Sequence, residues 1–319
     1  MNKILKDSSF VDQEFAATDT ISFSAYELIM PVPEHHPRAV AIAATRFLVQ
    51  RVASIDFPAT SRVYVDTSLS DALRGHKLTD DVVIAEARED TLKELSWLTN
   101  FIHENAVPTD CTTIVGIGGG VLLNAVAYIA ERQNVDFISV PTTVLAAADS
   151  AIGGLVRINK VEGEKYIKSF YKSVYEPSSI IIDVSLLASL PKDQIRWGLS
   201  EVVKHGVYQS LPLLEYLAGE GFNPFGNENS LVKAICWTAA LKNVAIIHDP
   251  DSTDIGGLIL RGGHQLALHI EEASNFRVSH GEAVAVGIYQ DSSTNVLVLP
   301  LLDTIYAKLE LPKSEADLN

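Results

Sequence analysis

The chain has 319 residues, of which 47% are hydrophobic and 20% are charged, a balance typical of an ordinary globular protein. Its formal net charge of −15 at pH 7 argues against a nucleic-acid-binding surface, because such a surface needs clustered cations to neutralise phosphates. The sequence has no N-terminal apolar core of signal-peptide length and no uninterrupted apolar run of membrane-spanning length, so we expect a cytoplasmic protein.

The first half of the chain alternates predicted strands with predicted helices. Residues 1–20 are polar, and we expect them to be loosely held, whereas residues 36–54 have helical periodicity. The patterns that follow predict strands at 62–66, 81–87, 112–117, 136–141 and 179–184, and helices at 91–106 and 121–133. Such alternation favours βαβ units and therefore a parallel sheet.

The pattern changes after about residue 185, where helical periodicity replaces the alternation. Helices are predicted at 192–209, 211–220, 229–247, 263–273 and 280–290, and a stretch rich in Gly, Pro and Asn at 221–230 is typical of a loop. We therefore expect an α/β domain over residues 1–185 and an α-helical domain over residues 186–319. Cys111 and Cys236 lie in apolar runs and are predicted to be buried, reduced thiols.

A glycine cluster joins a predicted strand to a predicted helix in "IVGIGGGVLL", at Gly116, Gly118, Gly119 and Gly120. Glycines let a backbone approach a pyrophosphate closely, and the helix N-terminus adds amide N–H groups and a favourable dipole. The spacing differs from GxGxxG, so a tight turn without a ligand is an equal alternative.

The segment "VPTTVLAAADSAIGG" (140–154) places polar groups where a strand ends. Thr142 and Thr143 follow Pro141, and hydroxyls at the carboxyl edge of a parallel sheet point into the crevice where ligands bind. Asp149 follows in a stretch of small residues. By itself the segment is explained better by Thr142 as a helix N-cap and Asp149 as a loop acid.

Glu201, Lys204 and His205 lie on one predicted helix in "GLSEVVKHG". A surface pair between Glu201 and Lys204, three residues apart, is one interpretation. The apolar neighbours Val202 and Val203 indicate instead that these charges are partly buried, and a buried carboxylate needs a cation or a metal as its partner.

Three histidines lie in the segment 257–287, at His264, His269 and His280. Neutral imidazole binds Zn²⁺ well, and two imidazoles with one carboxylate leave the fourth position open, as a catalytic metal requires. The histidines lack HExxH spacing, so taken singly they are more typical of hydrogen-bonded core histidines than of metal ligands.

Five motifs in order resemble the dehydroquinate synthase-like sugar-phosphate cyclase superfamily: "GGGVLLN", "VPTTVLAAADS", "SLLASLPKDQIRWGLSEVVKHG", "GLILRGGHQLALHIE" and "HGEAVAVG". The resemblance runs from about residue 60 to about residue 290. "VLAAADS", "SFYKSV", Asn124 and "GLILRGGH" are most similar to the 2-deoxy-scyllo-inosose synthases, and "IEEASNFRVSHGEAV" is also similar to the valiolone-forming cyclases.

The resemblance implies an N-terminal Rossmann-like NAD-binding domain, a C-terminal all-α metal-binding domain and an active site between them. It assigns Zn²⁺ or Co²⁺ to Glu201, His264 and His280. It places NAD against Asp66, Asp90, Lys93, Gly118, Gly119, Gly120, Thr142 and Thr143. It makes Asp149, Lys204 and Lys242 substrate-facing catalytic residues. A phosphorylated sugar as substrate and a homodimer are further expectations from the family.

The reaction that the resemblance implies uses NAD catalytically. Oxidation of a ring alcohol by NAD acidifies the neighbouring C–H bond, and phosphate then leaves by elimination. The hydride is returned, the ring opens, and an intramolecular aldol reaction closes a carbocycle. The metal serves as a Lewis acid for the alcohol and ketone oxygens.

Several residues depart from the family's pattern. Cations usual in the family are replaced by Leu155 and by Gln133, and its Lys-Asn pair by Glu164 and Lys165. Arg261 stands where Asn or Glu is usual, and Leu268 stands at the family's second helix histidine. The adjacent His269 is rotated by about 100° around the helix and cannot substitute. The chain also ends sooner after "HGEAV" than is usual in the family.

These departures leave several functions open. One is an active cyclase of the inosose synthase type with a glucose 6-phosphate-type substrate, with 3-dehydroquinate synthase and a valiolone-type cyclase as alternatives. Another is a non-catalytic homologue that acts as a partner subunit. A third is an iron- or zinc-dependent alcohol dehydrogenase of related fold, which would accumulate NADH with a polyol.

Overall fold

The computed structural model describes residues 2–17, 26–28, 36–69, 72–73, 78–85, 95–163 and 165–318. Nine strands are found there: β1 (Tyr26–Leu28), β2 (Arg46–Val49), β3 (Ser61–Asp66), β4 (Asp81–Ala85), β5 (Thr113–Gly118), β6 (Asp136–Pro141), β7 (Leu155–Glu162), β8 (Lys165–Val174) and β9 (Ser179–Ile182).

The helices in the described residues are α1 (Asn2–Ala17), α2 (Pro37–Ala44), α3 (Leu95–Glu104), α4 (Gly120–Gln133), α5 (Val184–Ala188), α6 (Lys192–Tyr208), α7 (Leu211–Ala218), α8 (Glu228–His248), α9 (Ile255–Arg261), α10 (His264–Ala273), α11 (His280–Asp291) and α12 (Leu299–Leu309). The elements form two compact units. The sheet unit contains β1 and the described part of 44–187, and the helical unit contains α1, most of α2 and the chain from Ala188 onward.

The sheet unit is built on seven described strands in the order β1-β2-β9-β6-β5-β3-β4. All neighbouring pairs are parallel except β1 with β2. Every residue of the central strand β5 is buried, as expected for a parallel strand covered on both faces. The α/β class with a parallel sheet and a helical C-terminal half is therefore confirmed.

The prediction of one helix over residues 36–54 is wrong beyond Ala44. Residues Arg46–Val49 instead form β2, which pairs with β9 in parallel and with β1 in antiparallel register. Phe47, Leu48 and Val49 are all buried by this pairing. Tertiary burial of a short β-prone run has overridden a local helical periodicity.

The expectation of a loosely held N-terminus is also wrong for the described residues 2–17, which form α1. Phe15 is buried and stacks on Trp237 of α8, with ring centroids 5.7 Å apart. Asp12 accepts hydrogen bonds from Trp237 Nε1 at 2.8 Å and from Ser210 Oγ at 2.5 Å. α1 is thus fixed to the helical unit by an aromatic contact and two polar ones.

A hairpin of β7 and β8, absent from the predicted elements, packs on α4. Tyr171 meets Tyr128 edge to face at 5.0 Å, and Ser173 Oγ donates to Glu131 at 2.7 Å. A two-stranded hairpin is marginal by itself, so these contacts with α4 hold it in place.

Helix α8 is the one described helix that is long and apolar enough, by length and composition, to cross a membrane. In the structure 89% of its most apolar window is buried inside the protein, and the core helix of a globular protein passes the same test. Cys236 lies in this helix, and burial raises the pKa of its thiol. Cys236 and Cys111 are both buried and free, which confirms their predicted state.

Two glycines that flank β7 provide a matched test of backbone strain. Gly154 and Gly163 have φ of +59° and +63°, a region that costs other residues about 1–2 kcal/mol. A Cβ at Gly154 would also lie 2.8 Å from backbone atoms of Glu176, whereas a Cβ at Gly163 meets nothing within 4 Å.

We predict that Gly163→Ala lowers the free energy of unfolding by about 1 kcal/mol and that Gly154→Ala lowers it by about 2–5 kcal/mol, because the second change adds a clash with backbone. Urea titration followed by circular dichroism measures both. Equal losses in the two variants would contradict the placement of the hairpin.

Candidate metal centre

Glu201 lies in the middle of α6, and its side chain is completely buried. Its sequence neighbours Val202 and Val203 are buried as well. The burial expected from these apolar neighbours is confirmed. Because an isolated carboxylate is costly to remove from water, Glu201 requires positive or metal partners close by.

Two histidines approach Glu201 from the first residues of α10 and α11. A Cβ at Gly263 would lie 2.8 Å from the backbone N of Ile288, and a Cβ at Gly287 would lie 2.0 Å from the carbonyl O of Gly263. Because both positions are glycine, the start of α10 lies directly against α11. The rings of His264 and His280 are therefore neighbours, with centroids 5.3 Å apart.

The start of α11 is fixed by a capping box. Ser279 Oγ accepts from Glu282 N, and the Glu282 carboxylate accepts from Ser279 N at 3.1 Å. A Cβ at Gly281 would lie 2.2 Å from the carbonyl O of Trp197 in α6. The glycine lets α11 begin in contact with the helix that carries Glu201, and this contact sets the position of His280.

The ligand-type atoms of these three side chains converge. Glu201 Oε1 lies 3.6 Å from His264 Nε2 and 3.5 Å from His280 Nε2, and all three atoms lie within 4.8 Å of one another. A tetrahedral Zn²⁺ with ligands at ~2.0–2.1 Å places ligand atoms ~3.3 Å apart. The observed spacing fits such an ion, and within the part of the chain described no other His, Cys, Asp or Glu triplet converges in this way.

The second nitrogen of each ring is held by an acceptor. His264 Nδ1 donates to the carbonyl O of Gly262 and His280 Nδ1 donates to Glu271 Oε1, both at 3.0 Å. Because each ring donates through Nδ1, the lone pair of the neutral imidazole lies on Nε2, toward Glu201. About a quarter of each histidine side chain remains exposed, which leaves one side of the triplet open.

The two histidines differ in their proton affinity. Burial lowers the pKa of His264, and the nearby charges of Lys204 and His280 lower it further, against the opposite effect of Glu201. For His280 burial also opposes the charged form, but hydrogen bonds to Glu201 and Glu271 outweigh it and raise the pKa to about 9. A divalent cation would replace that proton, since metal ligation requires the neutral ring.

Of the predicted catalytic lysines, Lys204 contacts the metal-ligand candidate directly. It is fully buried, forms an ion pair with Glu201 Oε2 and donates to the carbonyl O of Leu260 at 3.3 Å. Lys242 is buried on α8, and its charge lies close enough to His205 to lower the pKa of that ring. The two oxygens of Glu201 thus have separate roles, one toward the histidines and one toward Lys204.

His205, one helical turn after Glu201, is outside the converging triplet. It is completely buried, and burial, followed by the charge of Lys204, lowers its pKa to about 3. Its Nδ1 lies 2.9 Å from Gln209 Oε1, and Gln209 Nε2 donates to the carbonyl O of Leu241 at 2.6 Å. His205 is therefore a neutral, hydrogen-bonded core histidine.

The glycine cluster forms a bare turn in the sheet unit. Gly118 ends β5 and α4 begins at Gly120, with no side chain capping the helix. A Cβ at Gly120 would lie 2.7 Å from Ser150 Oγ, and a Cβ at Gly119 would lie 3.2 Å from Thr143 Cγ2. This turn exposes backbone N–H groups of a helix N-terminus, which is an arrangement that binds anions.

Three other predicted cofactor residues lie at the same edge of the sheet. Thr142 N donates to the carbonyl O of Gly118 at 2.9 Å, and a Cβ at Gly118 would lie 3.3 Å from Asp66 Cβ. Thr143 Oγ1 accepts from Ala146 N at 3.1 Å, so Thr143 is the N-cap. The alternative assignment of that cap to Thr142 is wrong.

Asp149 lies in the sheet unit, on the π-helical turn Ala146–Ser150 that follows Thr143. Such turns are frequent at functional sites. The side chain is partly buried. The predicted cofactor residues Asp90 and Lys93 lie outside the described residues.

Sequence reasoning missed two carboxylates that hold the histidines. Glu271 is buried and accepts from His280 Nδ1. Asp291 Oδ2 accepts from Tyr208 Oη at 2.7 Å and from Gly263 N at 3.0 Å, which fixes the backbone before His264. Glu271 carried a usable signal, since it follows the apolar Ile270 on the buried face of a helix, whereas Asp291 carried none.

The chain matches two family models, 3-dehydroquinate synthase N-terminal over residues 82–197 and 3-dehydroquinate synthase C-terminal over residues 198–308. It belongs to the dehydroquinate synthase-like superfamily. The membership predicted from the five motifs is confirmed.

The 3-dehydroquinate synthase of Haemophilus ducreyi is 30% identical over 264 residues, which cover 81% of this chain and 71% of that protein. The enzyme of the same name from Sulfurisphaera tokodaii is 30% identical over 178 residues, 55% of this chain and 49% of that protein. The chain thus spans about half the length of the first curated relatives that it matches.

Solved structures support the same fold. The 2-epi-5-epi-valiolone synthase of Streptomyces hygroscopicus subsp. jinggangensis, with NAD⁺ and Zn²⁺ bound, has a TM-score of 0.69 at 18% identity and covers 84% of this chain and 80% of its own. A 2-deoxy-scyllo-inosose synthase complexed with carbaglucose-6-phosphate, NAD⁺ and Co²⁺ has a TM-score of 0.63 at 22% identity, over 81% and 75% of the two chains.

We predict that Glu201→Ala and His264→Ala abolish stoichiometric Zn²⁺ binding, because each removes one of three ligands. His269→Ala, an exposed change on the same helix as His264, is the matched control and leaves binding intact. The zinc content of each variant after dialysis, measured by atomic emission, tests this prediction. Unchanged metal in both ligand variants would show that the site is wrongly assigned.

We also predict that Glu271→Gln weakens Zn²⁺ binding by about 10–100-fold, the usual effect of losing an outer partner of a ligating histidine. Glu272→Gln removes an adjacent but exposed carboxylate and serves as control. Competition with a chromogenic chelator gives both affinities. Equal Zn²⁺ affinities of the two variants would show that Glu271 does not support the metal site.

Proposed function

We propose that the chain is an NAD- and metal-dependent sugar-phosphate cyclase that forms a carbocycle with loss of phosphate, of the 2-deoxy-scyllo-inosose synthase type. The observation that carries this proposal is the convergence of Glu201, His264 and His280 with one side open. Enzymes of the superfamily supply the reaction class, and the assignments of residues 1–185 to NAD and 186–319 to metal belong to the proposal.

Zn²⁺ or Co²⁺ fits the donor set of the metal centre. Two imidazole nitrogens and one carboxylate oxygen suit either ion, and both imidazoles have the outer hydrogen bonds that ligating histidines usually make. Lys204 offsets the remaining charge of Glu201 and fixes its orientation through Oε2.

NAD fits the bare turn at Gly118, Gly119 and Gly120. A Cβ at any of these positions would crowd a neighbouring side chain, so the glycines allow the tight turn that leads into α4. Thr142, Thr143 and Asp66 border the turn. We assign the pyrophosphate to the helix N-terminus. Asp90 and Lys93 are included among the proposed NAD-binding residues on the basis of the sequence alone.

When bound, NAD accepts and returns a hydride while the metal polarises the reacting oxygen. The chain's own groups hold and move protons around that chemistry. Asp149 carries a carboxylate on a π-helical turn, and Lys204 and Lys242 are buried cations. We assign these three to the substrate-facing side, with Lys204 acting also on Glu201.

The substrate is proposed as a phosphorylated sugar of the glucose 6-phosphate type. The motifs near Asn124 and Asp149 support this substrate. The curated relatives carry the name 3-dehydroquinate synthase, so that activity is an alternative proposal, and a valiolone-type cyclisation is another. A homodimer and a cytoplasmic location remain predictions.

A non-catalytic partner subunit is the second candidate, and two leucines favour it. Leu155, at a position where the family has Lys, is half-buried beside Val156. Leu268, at the position of the family's second helix histidine, is 43% exposed. Neither side chain can exchange a proton or bind phosphate.

The test is release of inorganic phosphate from hexose, heptose and heptulose phosphates in the presence of NAD and Zn²⁺ or Co²⁺. We expect release from glucose 6-phosphate that requires both additions and leaves no net NADH. Asp149→Asn should slow release by about 10²–10⁴-fold, the usual contribution of a general acid or base, and the exposed Asp110→Asn should not.

The contrary outcomes separate the candidates. No release from any of these phosphates despite tight NAD binding supports the partner subunit and overturns the enzyme. Net NADH formation with a polyol would identify an alcohol dehydrogenase instead.

A further inference from the structure

The helical unit contains a cavity of about 800 Å³ that opens beside the metal centre. His264 lines it, together with residues of α9, the end of α6 and the end of α11. A volume of this size accommodates a small molecule. A ligand in the cavity would therefore touch the open side of the triplet through His264.

One wall of the cavity is aliphatic. Ile255, Leu258, Ile259 and Leu268 form it, and Leu258 and Leu268 are 64% and 43% exposed. Exposed leucines beside a polar metal centre are costly in water unless something covers them. The C–H face of a carbohydrate ring is one group that such a wall can cover without offering a hydrogen-bond donor.

Arg261 lines the cavity and brings a cation to it, whereas Asp291 is the carboxylate residue in its lining. Arg261 Nη1 donates to the carbonyl O of Ser252 at 3.0 Å, and a Cβ at Gly257 would lie 3.0 Å from the same nitrogen. The guanidinium thus lies back along α9 in space that Gly257 leaves open. In the part of the chain that the structure describes, no carboxylate lies within ion-pair distance of Arg261, although its charge helps to lower the pKa of Asp249 after the hydrogen bonds that this carboxylate accepts.

Two carboxylates of the same unit, those of Asp249 and Asp291, already accept hydrogen bonds from other groups. Asp249 accepts from the backbone N atoms of Thr253, Asp254 and Gly257 at 2.7–2.9 Å. Asp291 accepts from Tyr208 and Gly263. A guanidinium offers five N–H donors, so most of those of Arg261 stay available for an anion.

We propose that Arg261 binds the phosphate group of a sugar phosphate in this cavity and is a specificity-determining residue of the chain. This inference rests on the proposed function, whose substrate class it specifies. Positions 155 and 133 lack the cations usual in the family, while Arg261 places a cation where the family carries Asn or Glu. In this chain the cation that recognises the phosphate is therefore carried by Arg261, the last residue of α9.

The test compares Arg261→Gln and Arg261→Lys with Arg277→Gln. Arg277 is an exposed arginine of the same unit that also donates to a backbone carbonyl, of Ser274 at 3.0 Å, and it does not line the cavity. Calorimetric titration with glucose 6-phosphate, inorganic phosphate and glucose is done on the protein loaded with Zn²⁺ but without NAD, so that no turnover accompanies binding. Melting temperature and zinc content verify that each variant is folded and loaded.

We expect Arg261→Gln to weaken binding of glucose 6-phosphate and of inorganic phosphate at least tenfold, the loss typical of a charge-assisted hydrogen bond, and to leave glucose unchanged. Arg261→Lys should lose less affinity for both phosphates, because lysine keeps the positive charge but lacks the planar guanidinium that can form two parallel hydrogen bonds. Arg277→Gln should bind like the parent chain.

Equal affinities of the Arg261 and Arg277 variants for glucose 6-phosphate would overturn the proposal, and so would a parent chain that binds no sugar phosphate at millimolar concentration. Binding is measured without turnover. A chain that binds glucose 6-phosphate through Arg261 but releases no phosphate would support this inference while refuting the cyclase activity.

Discussion

The completely buried carboxylate of Glu201 is the constraint on which the helical unit depends. A charge held away from water must be matched by groups of opposite sign or by a metal, and here it is matched on both oxygens. Lys204 takes one oxygen and the imidazoles of His264 and His280 take the other. These contacts require α6, α10 and α11 to meet at one point.

The helices can meet there because glycines stand at their contacts. Gly263 and Gly287 bring the start of α10 against α11, and Gly281 brings the start of α11 against α6. A methyl group at any of these positions would overlap backbone atoms. The same close packing aims both Nε2 atoms inward, and the outer acceptors Gly262 and Glu271 hold the rings in that orientation.

In the sheet unit, the order and direction of the strands bring the candidate site residues together. β3, β5 and β6 are adjacent and parallel, so Asp66, Gly118 and Thr142 lie at one edge although they are far apart in sequence. The bare turn before α4 needs no side chain for its chemistry. The role proposed for this turn rests on backbone N–H groups at the helix N-terminus rather than on side chains.

Much of this could be read from the sequence, because periodicity and motif order are local properties. The alternation of strands and helices up to residue 185 and the helices that follow were predictable from the chain. The five motifs also singled out Glu201, His264 and His280, which the structure brings together. The apolar neighbours Val202 and Val203 also predicted that Glu201 is partly buried, and the structure buries its side chain completely.

Only the tertiary structure decided the remainder, because it depends on contacts between distant segments. Pairing with β9 turned residues 46–49 from a predicted helix into a strand, and α1 became ordered through Phe15 on Trp237. The distances at Glu201, the role of Glu271 and the cavity that Arg261 shares with Leu268 arise where separate helices meet. The sequence by itself determined which groups this protein carries, and tertiary packing determined which of them lie within bonding distance.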